Sequence, residues 1–247
     1  MLWKRESSEF KGLGHGDVVT LDDVSLRLKV NGRARRISLR IDNKSGEAIL
    51  SVPHVREITQ AIAFARTRLD WVRKFSAKKP KVAMFAPDMD IPYRGGTLAL
   101  KSSGNMASAR FLKTDEGLVL TAGGQDDAYA RRVGRYLSKQ ALEFAQTYTE
   151  DYAQGLGYSG VKVAIFDPKG RWGSCTPSRQ AIRYSWRLIM APESVFAYVC
   201  AHEVAHLKHP HHQPPFWAEV ERIFGDYKPA RQWLKTHGHS LFAYGAG

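Results

Sequence analysis

Apolar and polar residues alternate first over residues 18–30, where Leu26, Leu28 and Val30 share one side, and again at Ile37, Leu39 and Ile41. A period of two marks half-buried β-strands. Asn43-Lys44-Ser45-Gly46 is a turn signal, and Ala48 to Val52 supplies a return strand. After Pro53 the period changes. Ile58, Ala61, Ile62, Ala65, Leu69, Val72 and Phe75 recur at helical spacing with Arg66, Arg73 and Lys74 outward, which predicts one amphipathic helix over 57–76. Lys78 to Pro80 punctuates. Short strands then resume around Gly95-Gly96, Gly104-Asn105 and Asp115-Glu116-Gly117, up to Gly123-Gly124.

From Asp126 to about Gln154 a long helix is expected, striped by Val133, Leu137, Ala141, Phe144 and Tyr148. Residues 161–166 read as a strand, Asp167-Pro168-Lys169-Gly170 as a turn, and 181–190 as a second strand with Ile182, Tyr184, Trp186, Leu188 and Met190 on one face. Ala191-Pro192-Glu193 opens a helix that Pro210 stops near Lys208. Pro214-Pro215 opens another, carrying Phe216, Val220, Ile223 and Phe224 and ended by Gly225, and a last helix includes Trp233 and Leu234. The pattern is that of an α+β chain: a hairpin-rich region over 1–124 and a largely helical domain over 125–247, with no internal repeat.

Composition narrows the class. Apolar residues make up 43% and charged residues 25% of the 247, an ordinary globular balance. The two cysteines, Cys175 and Cys200, are too few for a disulfide framework. The start of the chain lacks the apolar core of a signal peptide, and no apolar run approaches the roughly 18 residues of a membrane span. A cytoplasmic protein is expected.

Its 37 Lys and Arg against 24 Asp and Glu leave a charge of +13, which invites nucleic acid as a partner. Residues 1–85 carry 18 basic and 9 acidic side chains, net +9, in clusters at Arg33, Arg35, Arg36 and Arg40 and at Arg66, Arg68, Arg73, Lys74, Lys78, Lys79 and Lys81. Neither cluster lies in a helix-turn-helix, an RNA-stacking motif or a paired-cysteine finger. A solvated basic face and an anion-docking surface fit this pattern equally well.

Candidate chemistry concentrates at His202-Glu203-Val204-Ala205-His206. Histidines four apart project from one helical face and can share a zinc ion at about 2.0–2.1 Å from each ring nitrogen. Glu203 lies roughly 100° round the helix from His202, free to act as general base toward zinc-bound water and then as proton shuttle. A catalytic zinc takes three protein ligands, and His212, ten residues after His202, is the third candidate. His209, His211, Glu219 and Glu221 are its rivals. The spacing of the three histidines equals that of metzincins, but His209 fills their glycine slot and no methionine follows Met190.

A second constellation, Gly170-Arg171-Trp172-Gly173-Ser174-Cys175, follows a turn. Arg171, Trp172, Gly173 and Ser174 are candidate substrate-binding residues: the glycines permit close backbone approach, and Arg171 and Ser174 are donors. A plain turn with a packed Trp explains the same residues. Cys175 is a weaker candidate, as a fourth ligand closing a structural zinc site, and Cys200 reads as core.

Arg171-Trp172-Gly173-Ser174-Cys175, His202-Glu203-Val204-Ala205-His206-Leu207-Lys208-His209-Pro210-His211-His212 and Phe216-Trp217 resemble the YgjP-like metallopeptidase family, relatives of the SprT-like zincins. The resemblance extends back to Arg35-Arg36-Ile37-Ser38-Leu39-Arg40 and Ser51-Val52-Pro53. It implies His202, His206 and His212 as metal ligands, Glu203 as the catalytic carboxylate, and a β-rich N-terminal region before a zincin-like helical metal-binding core with an antiparallel sheet. His211 stands where the family often carries asparagine.

The expectation is a hydrolase of metallopeptidase type with one Zn2+ per chain, acting on a peptide or protein. Arg171, His209, His211 and Tyr184 are candidates for stabilising the oxyanion. Two alternatives share the residues: hydrolysis of an anionic small molecule such as a nucleotide at the same metal, and a nucleic-acid-binding module with a structural zinc.

Overall fold

The computed structural model of the chain describes residues 10, 12–42, 46–76, 83–104, 107–115, 117–168 and 170–245. The turn expected at Asn43-Lys44-Ser45, the break at Lys78 to Pro80, Asn105, Glu116, Lys169 and the side chain of Phe75 lie outside the described residues. The chain forms two compact units, residues 1–80 and 81–247.

In the first unit, β1 (Val18–Leu21) and β2 (Val24–Val30) form a hairpin, β3 (Ser38–Ile41) and β4 (Ala48–Val52) follow, and the sheet order is β1-β2-β4-β3. The single strand expected over 18–30 is therefore two. Asp22, at φ 54°, turns the chain between them, a conformation that Asp tolerates better than most residues. One face of the sheet buries Leu26, Leu28, Leu50 and Val52 against Ile58, Ala61, Ile62 and Ala65 of α1 (Ile58–Arg66) and Leu69 and Val72 of α2 (Leu69–Ser76). The helix expected over 57–76 breaks at Thr67-Arg68, where the Thr67 hydroxyl donates to the Phe64 carbonyl at 2.8 Å and ends the first segment. Arg33, Arg35, Arg36, Arg40, Arg66, Arg68 and Lys74 are exposed, whereas Arg73 is committed to Asp22, Asp23 and Asp70.

The second unit opens with β5 (Asp90–Tyr93), β6 (Gly96–Ser102), β7 (Arg110–Thr114) and β8 (Gly117–Ala122), in the order β5-β6-β8-β7. This repeats the first unit's topology, including its one parallel pair, β2 with β4 and β6 with β8. The register repeats too: Leu28 faces Leu50, which faces Leu39, as Leu100 faces Leu120, which faces Phe111. Even the turn is reproduced, with Arg94 at φ 49° in the place of Asp22. A ββββα repeat is thus present, although the sequence pattern suggested none, because only scattered core positions coincide.

The long helix α3 (Asp126–Gly155) buries Tyr129, Val133, Leu137 and Ala141 in a core shared with Ile91, Leu98, Leu100 and Leu120. That shared core lies within the second unit. A three-stranded sheet follows, in the order β10-β11-β9, from β9 (Lys162–Phe166), β10 (Gly173–Thr176) and β11 (Ala181–Ser185). It is mixed, not antiparallel throughout: β11 runs antiparallel to β10 and parallel to β9. The strand expected over 181–190 ends at Ser185, and Trp186–Met190 is a 3-10 turn with all five side chains buried. Then come α4 (Glu193–Ala205), α5 (Pro214–Phe224), α6 (Lys228–His237) and a 3-10 segment, Gly238–Ala243. The helix expected to reach Lys208 stops at Ala205. Among the described residues no helix is long and apolar enough to cross a membrane.

Candidate active site

Helix α4 runs through the core, with Val195 to Ala201 all buried, and delivers His202 and Glu203 from its last turn. His206 is its C-cap, still in αR conformation, so the one-turn spacing of the two imidazoles is kept. Beyond Pro210 the chain doubles back, and α5 begins with prolines at its first positions, the arrangement that prolines favour. His212 lies just before that start, and Trp217, one turn into α5, donates its indole N–H to the His212 carbonyl at 3.2 Å.

These elements bring one ring nitrogen from each of His202, His206 and His212 to within 4.8 Å of one another, and the Nε2 atoms of His202 and His212 stand 3.0 Å apart. The ring orientations suit a shared cation. His206 Nδ1 lies 3.0 Å from the His209 carbonyl, which only accepts, so Nδ1 carries the proton and Nε2 keeps its lone pair. His202 Nδ1 faces the Tyr198 hydroxyl at 3.5 Å. Burial and the neighbouring imidazoles push His202 down to about 3, and burial lowers His206 as well. Neutral imidazoles are the form that binds metal. Nitrogen donors, close grouping and outer partners all fit a zinc-type ion; among the described residues no other such group occurs.

Glu203 is buried beside this group. Burial raises its carboxyl to about 8, and the charge of Arg171 works against that rise. The carboxyl fits only because residue 173 is glycine: a Cβ there would meet Glu203 Cγ and Oε1 at 2.6 Å. The four loop residues expected to touch substrate divide. Gly173 borders Glu203. Arg171 is exposed, its guanidinium 5.6 Å from the centre of the Phe166 ring. Ser174 is half-buried opposite Arg183 in the β10–β11 ladder. The Trp172 indole turns toward the end of the chain, packed on Gly238 and 5.4 Å from Phe242.

Of the rival ligands, Glu219 and His209 face each other. Glu219 is buried between Lys208 (2.8 Å) and Arg222 (2.6 Å), with His209 Nε2 at 3.5 Å. His211 and Glu221 are exposed. Burial and the Glu203 charge lift the Cys175 thiol to about 12, and Cys175 is not one of the grouped ligand atoms. Cys200 is core, as expected. Tyr184 is fully buried, with its hydroxyl 2.8 Å from Thr149 Oγ1.

Three further contributors are given no role by the sequence pattern, although Trp217 is among the residues that carry the resemblance. Tyr198, one turn before His202, stacks on Tyr227 at 6.1 Å and orients the imidazole. Its helical offset is a usable signal. Trp217 stacks against His212 at 5.7 Å, and Arg231 sits 4.4 Å over that indole. Arg231 comes from a different helix, and no local pattern announces it.

A three-histidine group beside a buried carboxylate is the kind of arrangement a metal-dependent hydrolase uses. The chain belongs to the YgjP-like family: the family's description, YgjP-like, metallopeptidase domain, matches residues 35–237. Two metallopeptidase zymogen structures are similar to parts of it. Abylysin of Pyrococcus abyssi is 28% identical over 37% of this chain and 94% of its own, with a TM-score of 0.34. Jannalysin of Methanocaldococcus jannaschii is 18% identical over 37% and 91%, with a TM-score of 0.32. Comparison with curated proteins gives no match.

Proposed function

We propose that the protein is a zinc peptidase in which His202, His206 and His212 hold one ion per chain and Glu203 is the proton carrier. The convergence of the three ring nitrogens within 4.8 Å beside buried Glu203 carries this reading. When bound there, zinc supplies a Lewis acid for the scissile carbonyl and acidifies water toward neutrality. A cation on the imidazoles would draw Glu203 down from about 8, toward the pH at which a carboxylate both accepts and returns a proton efficiently. Glu203 then takes a proton from the attacking water and passes it to the leaving amine.

Strand β10 begins at Gly173 and lies at a sheet edge, paired on one side only, with β11. An extended peptide added along this edge would find backbone partners and pass beside Glu203. Arg171 is close enough to Glu203 to shift it and is the oxyanion candidate this arrangement favours over Tyr184.

The test is hydrolysis of a peptide library by zinc-loaded protein and by Glu203→Gln. We expect cleavage by the first and, at unchanged zinc content, its loss in the second. Equal cleavage by both would sink the mechanism.

A further inference from the structure

Glycine weakens a helix interior, yet Gly134 sits well inside the 30-residue α3. A Cβ there would meet only the Phe85 ring, at 3.9 Å, beyond its own helix, so the missing side chain leaves open space. That space belongs to a cavity of about 830 Å³, within the size range of small-molecule sites. Phe85 and Trp186, edge to face at 6.2 Å, form its inner wall. Gly245 closes that wall, and a Cβ on it would stand 2.7 Å from Phe85. Ile165, Phe166 and the exposed Met84 continue the apolar lining. Ala130 and Ser138, one turn either side of Gly134, keep the α3 wall low. None of these residues belongs to the histidine group.

Uncommitted positive charge lines the same cavity. Arg131 and Arg135 reach it from α3, one turn apart, exposed and in no ion pair among the described residues. Two carboxylates also line it. Asp167 is held by Arg187 at 3.0 Å, and Asp127 lies in the first turn of α3, where the helix dipole favours it. An apolar interior is thus joined to two unneutralised guanidinium forks, whose geometry matches a carboxylate. A cation or a neutral alkane would leave those forks unanswered. A polyphosphate would lose its water against aromatic walls that return no hydrogen bonds.

We propose that this cavity binds an amphiphilic carboxylate, with its alkyl body between Gly134 and the Phe85–Trp186 wall and its head on Arg131 and Arg135. The site lies outside the peptidase reading and does not depend on it. Apolar contact supplies most of the affinity and grows with the length of alkyl chain buried. The arginines select the charge of the head and its position at the α3 wall.

The test titrates the full chain by calorimetry with fatty acids from octanoate to dodecanoate, each below its micelle-forming concentration. Kd should fall by about threefold for each methylene added. Dodecanol, the same body without the charge, should bind at least about tenfold more weakly than dodecanoate. Arg131→Gln combined with Arg135→Gln should remove that difference and leave dodecanol binding as it was. Gly134→Leu fills the cavity with a better helix former, so binding should vanish while the melting temperature holds or rises. Dodecanoate brominated on its chain should quench tryptophan fluorescence, and Trp186→Phe should remove the quenching. Absence of dodecanoate binding, or binding that Gly134→Leu leaves intact, overturns the proposal. Equal Kd for dodecanoate and dodecanol overturns the role of the arginines and with it the carboxylate. Dodecyl phosphate bound more than about tenfold tighter than dodecanoate overturns it in favour of a phosphate head. A dimer in sedimentation that Gly134→Leu dissociates, without dodecanoate binding, overturns it in favour of a second copy of the chain.

Discussion

Gly173 and Glu203 are in van der Waals contact so close that the glycine has no room for a side chain: a methyl group would stand 2.6 Å from Cγ and Oε1 and 2.7 Å from Cδ of the glutamate. The contact links two elements with separate histories in the sequence. Gly173 starts an edge strand, and Glu203 lies in the last turn of a core helix. Their apposition fixes the carboxyl in the one place where it borders the histidine group and the open strand edge together.

Gly173→Ala must therefore move Glu203, since strand backbone yields less readily than a side-chain end. Displacing a proton carrier by about 1 Å typically costs on the order of 100-fold in rate. We expect hydrolysis to fall by about that factor while zinc content stays at the wild-type value, because no ligand is touched. Steady-state kinetics beside metal analysis checks this; a variant at wild-type rate would mean that Glu203 does not act from this position.

Zinc affinity should rank the histidines. Loss of His202, His206 or His212 as alanine should weaken binding by more than about 100-fold, beyond the about 10- to 100-fold typical of an outer partner. Tyr198→Phe removes only the hydroxyl facing His202 Nδ1 and belongs at about tenfold. His209→Ala and His211→Ala should change affinity far less, since one faces Glu219 and the other is not in the three-histidine group. Competition with a chromogenic chelator measures all of these. Retention of zinc by His212→Ala, with loss in His211→Ala, would reassign the third ligand.

Much of this site is legible in the amino-acid order alone. The two-histidine spacing needs only helical geometry, and the 30-residue α3 is readable because its stripe is long and uninterrupted. Residues 181–190 mislead for a physical reason: alternation marks a strand only where one face is exposed, and Trp186 to Met190 are buried on every side. Asp22 breaks its strand through one left-handed backbone conformation, and Thr67 ends its helix with one hydroxyl hydrogen bond, neither of which a period records. The packing of Gly173 on Glu203 and the stacking of Arg231 on Trp217 join residues 30 and 14 positions apart, and such contacts exist only once the core has formed.

Glu219 makes stability depend on acid. Hydrogen bonds from Lys208 and Arg222 hold its carboxyl near 2, against an ordinary value of 4.5. A depressed folded-state value gives stability that is complete above the unfolded value and is lost as pH falls toward the folded one. The window is therefore about pH 4.5 down to 2. Because Lys208 and Arg222 are half exposed, solvent screening discounts the effect to about 1 kcal/mol. Urea titrations across that range should show the loss in wild type and a flatter profile in Glu219→Gln. Parallel profiles would mean that the pair contributes nothing.

Arg187 should prove the most sensitive charge in the molecule. It is 1% exposed, pairs with Asp167 at 3.0 Å, and donates to the carbonyls of Leu241 (3.1 Å), Tyr244 and Gly245 (2.9 Å). One guanidinium thus gathers three backbone acceptors, and it ties down the segment whose Gly238 and Phe242 back Trp172. Arg187→Met fills the volume but leaves three backbone carbonyls without this donor, so the expected loss is about 3 kcal/mol or more. Asp167→Asn, which keeps the guanidinium on the carbonyls, should cost clearly less. The effect should also reach the site, because Trp172 immediately precedes the glycine that seats Glu203. At temperatures where Arg187→Met remains folded, hydrolysis should drop while zinc stays bound. Urea denaturation of both variants, with kinetics on the folded protein, separates the two effects. An Arg187→Met protein as stable and as active as wild type would show that the end of the chain holds its place without this clamp.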